Sequence, residues 1–268
     1  MANKTFSQWV PSHDVVALCL AWQSRRAWPL AGLMDFFKMR QGSGESLWPA
    51  LLRQPLAWLI VLAGSALALE ADHSAQMIAW AKANYGAAAA ERVQRWQNLS
   101  KTSAGLNDLD KLRSVNNFFN QVPSVTDQEH WRKQDYWATP LEMLASNGAD
   151  CEDFAIAKYF TLRELGVADE RLKITYVKAR AAAGGQGIAH MVLTYYATPD
   201  AEPLVLDNLN GAIKPAHERP DLTPLYSFNA RGLWAAKERS LGKWLGPADD
   251  INLWKDLMQR MQQLPEQK

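Results

Sequence analysis

Apolar positions recur with two different periods along this chain, and the change between them divides it. From Ser74 to Lys101, Met77, Ile78, Trp80, Ala81 and Tyr85 recur at mostly three- and four-residue steps among Ala, Gln, Arg and Glu, which predicts helix. A second helix is predicted over Leu109–Gln121, with Leu112, Val115, Phe118 and Phe119 on one stripe. Asp127–Pro140 is polar and aromatic and reads as a loop. Pro140 then opens a helical turn at Leu141–Leu144, which Asn147-Gly148 ends. Cys151–Leu165 is strongly predicted to be helical, with Gly166 as its C-cap. Beyond Gly166 the period drops to two. Leu172–Lys178 alternates apolar and polar residues; His190–Tyr196 and Pro203–Leu206 are further strands, joined by a turn at Thr198-Pro199-Asp200. Gly184-Gly185 marks another turn, and Leu225–Trp234 is read as one last strand. Asp249–Leu264 closes the chain as an amphipathic helix, with Ile251, Leu253, Trp254, Leu257 and Met261 inward. Helices first and antiparallel strands after them predict an α+β domain.

One apolar run fits neither period. Leu56–Leu69 is 14 residues without a charge, preceded by Arg53 and containing Ala66-Leu67-Ala68. A basic flank, a short apolar stretch and a small-x-small site make a secretory leader, and the run is short for a bilayer span of about 20 residues. A buried helix of the folded domain is the competing reading. The division expected is a 1–48 extension, a 49–69 signal segment and a 70–268 domain. The leader begins late, so translation is expected to start at Met34 or Met39; the alternative is a cytoplasmic tail with an uncleaved anchor.

Composition adds two constraints. The net charge of +1 gives no sign of a nucleic-acid partner. Without residues 1–69, which hold six basic and three acidic residues, 23 basic and 25 acidic residues remain. Cys19 leaves with the leader and Cys151 stays alone, so no intramolecular disulfide can form. A lone thiol in an oxidising compartment is either an inert buried residue or a reactive group.

Its neighbours favour reactivity. Cys151 lies in the first turn of its helix, where free N–H groups and the dipole favour a thiolate. His190 stands in the patterned strand Ala189–Leu193, and Asp207 ends the next, Leu204–Leu206. Cys, His and Asp in that order supply a nucleophile, its base and the group that orients the base. Each also has a plainer role: His190 as a core histidine, Asp207 as the start of a turn. His73, His130 and His217 sit on no such element. Asp150, Glu152 and Asp153 oppose thiolate formation. Asp150 and Asp153 suit a capping box, and all three suit Ca²⁺, a hard cation that takes oxygen ligands. Zinc on Cys151, His190 and Asp207 is the weaker fit, since zinc sites usually hold more sulfur or histidine. The tryptophans most simply build core, with Trp137 also able to face a substrate or partner.

Several blocks together carry a resemblance. They are Gln134-Asp135-Tyr136-Trp137-Ala138-Thr139-Pro140, the Gly148–Tyr159 run with its Asp-Cys-Glu-Asp core, Ala189–Leu193, Leu204–Leu209, and Tyr226–Asn229 with Gly232-Leu233-Trp234. The stretch from Ser74 to Trp234 resembles the bacterial transglutaminase-like cysteine proteinases, and within them the periplasmic biofilm-dispersal proteases. The resemblance implies a papain-like, transglutaminase-like core with N-terminal helices packed on an antiparallel sheet. It implies the triad Cys151, His190 and Asp207, and Ca²⁺ at Asp150, Glu152 and Asp153. It further implies a large surface adhesin as substrate, cut near its N-terminus beside an Ala-Ala motif to release a biofilm, and an inner-membrane receptor of cyclic di-GMP as regulator. The expectation is therefore a periplasmic, calcium-dependent cysteine endopeptidase. The Cys151 N–H is the expected oxyanion donor, and the Tyr136-Trp137 segment is the expected place of the second. A transglutaminase or deamidase acting on glutamine, and a non-catalytic calcium-stabilised binding module, are the alternatives.

Overall fold

The computed structural model describes residues 73–180, 187–235 and 242–263. The leader, the extension before it and the Gly184-Gly185 turn fall outside these residues. The predicted 74–101 helix is broken in two. Residues 73–85 (α1) and Ala87–Ser103 (α2) flank Gly86, whose φ of 86° only glycine adopts without strain. Then come α3 (Asp108–Phe119), capped by the Asn107 side chain, α4 (Asp127–His130), α5 (Pro140–Ser146) and α6 (Cys151–Glu164). The short α4 lies where a loop was expected, started by a Thr126–Glu129 capping box. Gly166 ends α6 as foreseen, at φ 85° and with the Val167 N–H closing onto the Leu162 carbonyl.

Seven antiparallel strands follow: β1 (Leu172–Ala179), β2 (Ile188–Tyr195), β3 (Leu204–Leu206), β4 (Lys214–Pro215), β5 (Leu222–Asn229), β6 (Gly232–Ala235) and β7 (Trp244–Gly246). They form one sheet in the order β4-β3-β2-β1-β5-β6-β7. The single strand expected over Leu225–Trp234 is thus a hairpin, turning at Ala230-Arg231. The last helix, α7 (Asn252–Gln263), is shorter at its start than expected, because Ala248–Asp250 forms a 3₁₀ turn.

Ten of the fourteen residues of α6 are buried, so it is the central helix and not a surface one. It packs on β2 and β1, and α3 and α5 pack on it; α2 lies against both of those. Arg92 of α2 donates to the Leu144 and Ala145 carbonyls at 2.6 and 2.8 Å, satisfying the end of α5. Met191, Leu193 and Tyr195 of β2 join the large core, and Val177, Val192 and Val205 form a smaller cluster. Trp137 and Trp254 are fully buried, but Trp244, expected in the core, is 51% exposed on the edge strand. Among the described residues no helix is long and apolar enough to cross a membrane.

Trp254 anchors α7. It stacks on Phe160 (centroids 5.6 Å apart, 10° between planes) and meets Tyr159 and Phe228 edge-on. Trp254→Ala removes all three contacts. It should cost about 3–5 kcal/mol, read from the urea midpoint; a shift below 1 kcal/mol would mean that α7 is not part of the cooperative core.

Candidate active site

The site is assembled around the start of α6. A parallel bridge between Ser124 and Ala149, with Val125 N–H on the Ala149 carbonyl at 2.8 Å, ties the segment before α4 to the segment before α6. This places Asp127, the first residue of α4, beside the Asp150–Asp153 turn. The approach is close: a Cβ on Gly148 would come within 2.6 Å of the His130 ring, so glycine is required there.

Cys151 is the first residue of α6 and keeps partial exposure. Its thiol donates to Glu152 Oε2 at 3.0 Å. Burial pushes the thiol pKa up, the Glu152 and Asp150 carboxylates push it further, and the backbone N–H of Met191 works the other way. The helix that Cys151 begins packs on β2, the strand that carries His190.

His190 and Asp207 meet directly. The β2–β3 register pairs Leu193 with Leu206 and Thr194 with Val205; one residue beyond β3, Asp207 comes opposite Val192 and diagonal to His190. His190 Nε2 lies 2.8 Å from Asp207 Oδ1, and both side chains are buried. Asp207 Oδ1 also accepts the Leu209 N–H at 3.0 Å, and Oδ2 accepts Arg219 Nη2 at 2.7 Å. Burial alone would raise the Asp207 pKa. The hydrogen bond and charge of His190, the Leu209 amide and Arg219 overcome it and hold the carboxyl at about 2. Arg219, buried itself, is fixed in turn by Asp221. Lys158 lies two turns along α6 from Cys151, wholly buried, its Nζ without a hydrogen-bond partner among the described residues. Burial lowers its pKa to about 7 against the opposing charge of Asp207.

The acids gather more widely than expected. Asp127, Asp135 and Glu152 each bring one carboxylate oxygen within 4.8 Å of the others, and so do Asp127, Asp150 and Asp153. Asp127 thus links Glu152 to the other two predicted acids. Asp150 and Asp153 form the expected capping box, with a long bond of 3.4 Å from the Asp150 N–H to Asp153, whose Oδ1 also accepts the Ala138 N–H at 2.7 Å. Burial and then the Glu152 charge raise the Asp153 pKa well above the ordinary aspartate value. The donor set is five carboxylates and nothing softer, which fits a hard, oxygen-seeking divalent cation such as Ca²⁺.

One expectation fails here, and another narrows to the Trp137 half of its segment. Trp137 faces neither substrate nor solvent, since it is buried and stacked on Phe228. Tyr136 N–H, in the segment expected to supply the second oxyanion donor, is committed to Asp127 Oδ2 at 2.7 Å. The Tyr226 hydroxyl is buried with no hydrogen-bond partner among the described residues, and burial raises its pKa, helped by Tyr176, Asp135 and Glu152. Sequence reasoning missed Asp127, Asp135 and Arg219. Asp135 lay in a quoted block without a role, Asp127 was hidden in a presumed loop, and Arg219 sits beside Pro220 in a segment that carries no pattern.

The sequence model of the bacterial transglutaminase-like cysteine proteinases matches residues 72–221. The chain belongs to this family. Solved structures of Legionella pneumophila LapG, EGTA-treated and calcium-bound, superimpose with a TM-score of 0.60 at 41% sequence identity. The match covers 70% of this chain, and 97% and 98% of those two chains. No match was found among curated proteins. The fold of this transglutaminase-like cysteine proteinase is accordingly the transglutaminase-like one, with helices packed on an antiparallel sheet.

Asp207 gives the site a pH signature. Its folded pKa, about 2, lies below the ordinary 3.8, so its stabilisation is complete above pH 4 and is lost as pH falls through 2. Relative to Asp207→Asn, the wild type should lose about 2 kcal/mol between pH 4 and pH 2 in urea titrations. Parallel pH curves for the two proteins would show that the carboxyl is not held down.

Proposed function

We propose that this protein is an exported, calcium-dependent cysteine endopeptidase, with Cys151 as nucleophile, His190 as base and then acid, and Asp207 orienting His190. One observation carries the reading: the buried His190–Asp207 contact of 2.8 Å, on the strand against which the helix begun by Cys151 packs. Nε2 is taken by Asp207, which leaves Nδ1 as the nitrogen that serves the thiol. Cys151 Sγ attacks the scissile carbonyl carbon while His190 takes the thiol proton. The Cys151 N–H, at a helix start, stabilises the developing oxyanion. His190 then protonates the departing amine, and the thioester is hydrolysed by a water that His190 deprotonates.

Asp127, Asp135, Asp150, Glu152 and Asp153 would hold the calcium ion. When bound, it supplies positive charge that offsets the carboxylates beside the sulfur. Glu152 matters most, because its carboxylate otherwise accepts a hydrogen bond from the thiol and holds the sulfur protonated.

The proposed substrate is the N-terminal region of a large surface adhesin, whose cleavage releases cells from a biofilm. The proposed regulator is an inner-membrane cyclic di-GMP receptor, and the proposed compartment is the periplasm. Support comes from the motif resemblance, from the leader-like segment at 49–69, and from a chain that keeps one unpaired thiol beyond it.

Cys151→Ala should cut cleavage of a recombinant adhesin N-terminal fragment by at least about 10³-fold without lowering the melting temperature. Cleavage at the wild-type rate would reject thiol catalysis. Ammonia release from glutamine peptides with no chain cleavage would favour a transglutaminase or deamidase instead.

Chelation supplies the second test. A ligand at 100 times its Kd stabilises by about 2.7 kcal/mol, so EGTA should lower the melting temperature by about 5–10 °C and activity with it. If neither moves, the acids hold no functional calcium.

A further inference from the structure

Arg260 lies on α7, beyond the segment that the family's sequence model matches. Its side chain is largely buried and fully engaged. Nη2 donates to the Trp137 carbonyl at 2.6 Å, Nη1 pairs with Glu142 Oε2, and Nε donates to Asp256 at 2.9 Å. The guanidinium also lies over the Tyr136 ring, 4.4 Å from its centroid.

The Trp137–Ala138 peptide links these contacts to the acids. Its carbonyl is held by Arg260, and its N–H is donated to Asp153 Oδ1 at 2.7 Å. A peptide unit is planar, so fixing the carbonyl direction fixes the N–H direction as well. One residue earlier, the Tyr136 N–H is donated to Asp127 Oδ2, and the Tyr136 hydroxyl to Glu142 Oε1 at 2.9 Å. Glu142 Oε2 meanwhile accepts the Thr139 N–H at 2.8 Å. Arg260 and Glu142 thus grip both ends of a short segment whose two inward amides aim carboxylates of the acidic cluster.

We propose that Arg260 is a positioning residue for the calcium site, and that α7 sets how tightly the acids hold the ion. The proposal rests on the reading that Asp127, Asp135, Asp150, Glu152 and Asp153 take Ca²⁺, and it adds a dependence on a helix that contributes no ligand. Without Arg260, the Trp137 carbonyl loses a charged donor and Glu142 an ion-pair partner, and the peptide is free to tilt. By linkage, calcium must then steady α7 as much as α7 steadies the site.

The test measures calcium binding to the full domain by calorimetry, and hydrogen exchange of α7 with calcium and with EGTA. Arg260→Met should weaken calcium binding by about tenfold. Arg260→Lys keeps the charge but cannot make the planar two-way contact, and should fall between. It also carries the test should Arg260→Met fail to fold. In the wild type, calcium should slow exchange in α7, and this effect should shrink in both variants. Unchanged affinity in the folded variants, or exchange in α7 indifferent to calcium, would overturn the proposal while leaving the calcium reading intact. A wild type that binds no calcium would overturn both.

Discussion

Repulsion among buried carboxylates is the constraint around which the site is arranged. Asp127, Glu152 and Asp153 are nearly inaccessible, with Asp135 and Asp150 beside them, and like charges a few ångströms apart in a low-dielectric interior repel strongly. A fold does not concentrate acids this way for stability. The backbone answers part of the problem by spending the Tyr136 and Ala138 amides on Asp127 and Asp153. The thiol of Cys151 answers another part by donating to Glu152. What remains is a site shaped for positive charge, and its state bears directly on whether the sulfur is free for chemistry.

Asp207 is the opposite case, an acid buried among donors. His190, the Leu209 amide and Arg219 saturate its two oxygens, and Asp221 steadies Arg219 from outside. Such a network fixes the direction of the imidazole more firmly than one His–Asp contact does, because rotating the carboxylate would break three bonds at once. It also fixes the tautomer. The ring nitrogen that faces Asp207 carries the hydrogen when Asp207 is ionised, and a pKa of about 2 keeps it ionised throughout the neutral range.

How much of this was legible depends on the range of the interaction. Periodicity exposed the helices and strands because it reports which face is buried, but it did not show that α6 would also bury Glu152, Asp153 and Lys158. The Gly86 break was missed because one glycine in an alanine-rich run carries little weight against the pattern. The Ala230-Arg231 turn was missed because neither residue is a turn former. Cys151, His190 and Asp207 were legible as types on patterned elements. Asp127, Arg219 and Arg260 were not, since each acts on residues 12 or more positions away through contacts that only the fold creates. Trp137 misled because an aromatic flanked by polar residues looks exposed, whereas its ring faces Phe228 in the interior.

The sheet order has an evolutionary corollary. β1 stands in the middle; His190, Asp207 and Arg219 all belong to the β2–β4 side, while β5–β7 carry the other. Insertions or losses along the outer rim of that second side leave the hydrogen-bonded register between β2 and β3 untouched. One flank can therefore take on new surfaces without moving the imidazole or the carboxylate that holds it.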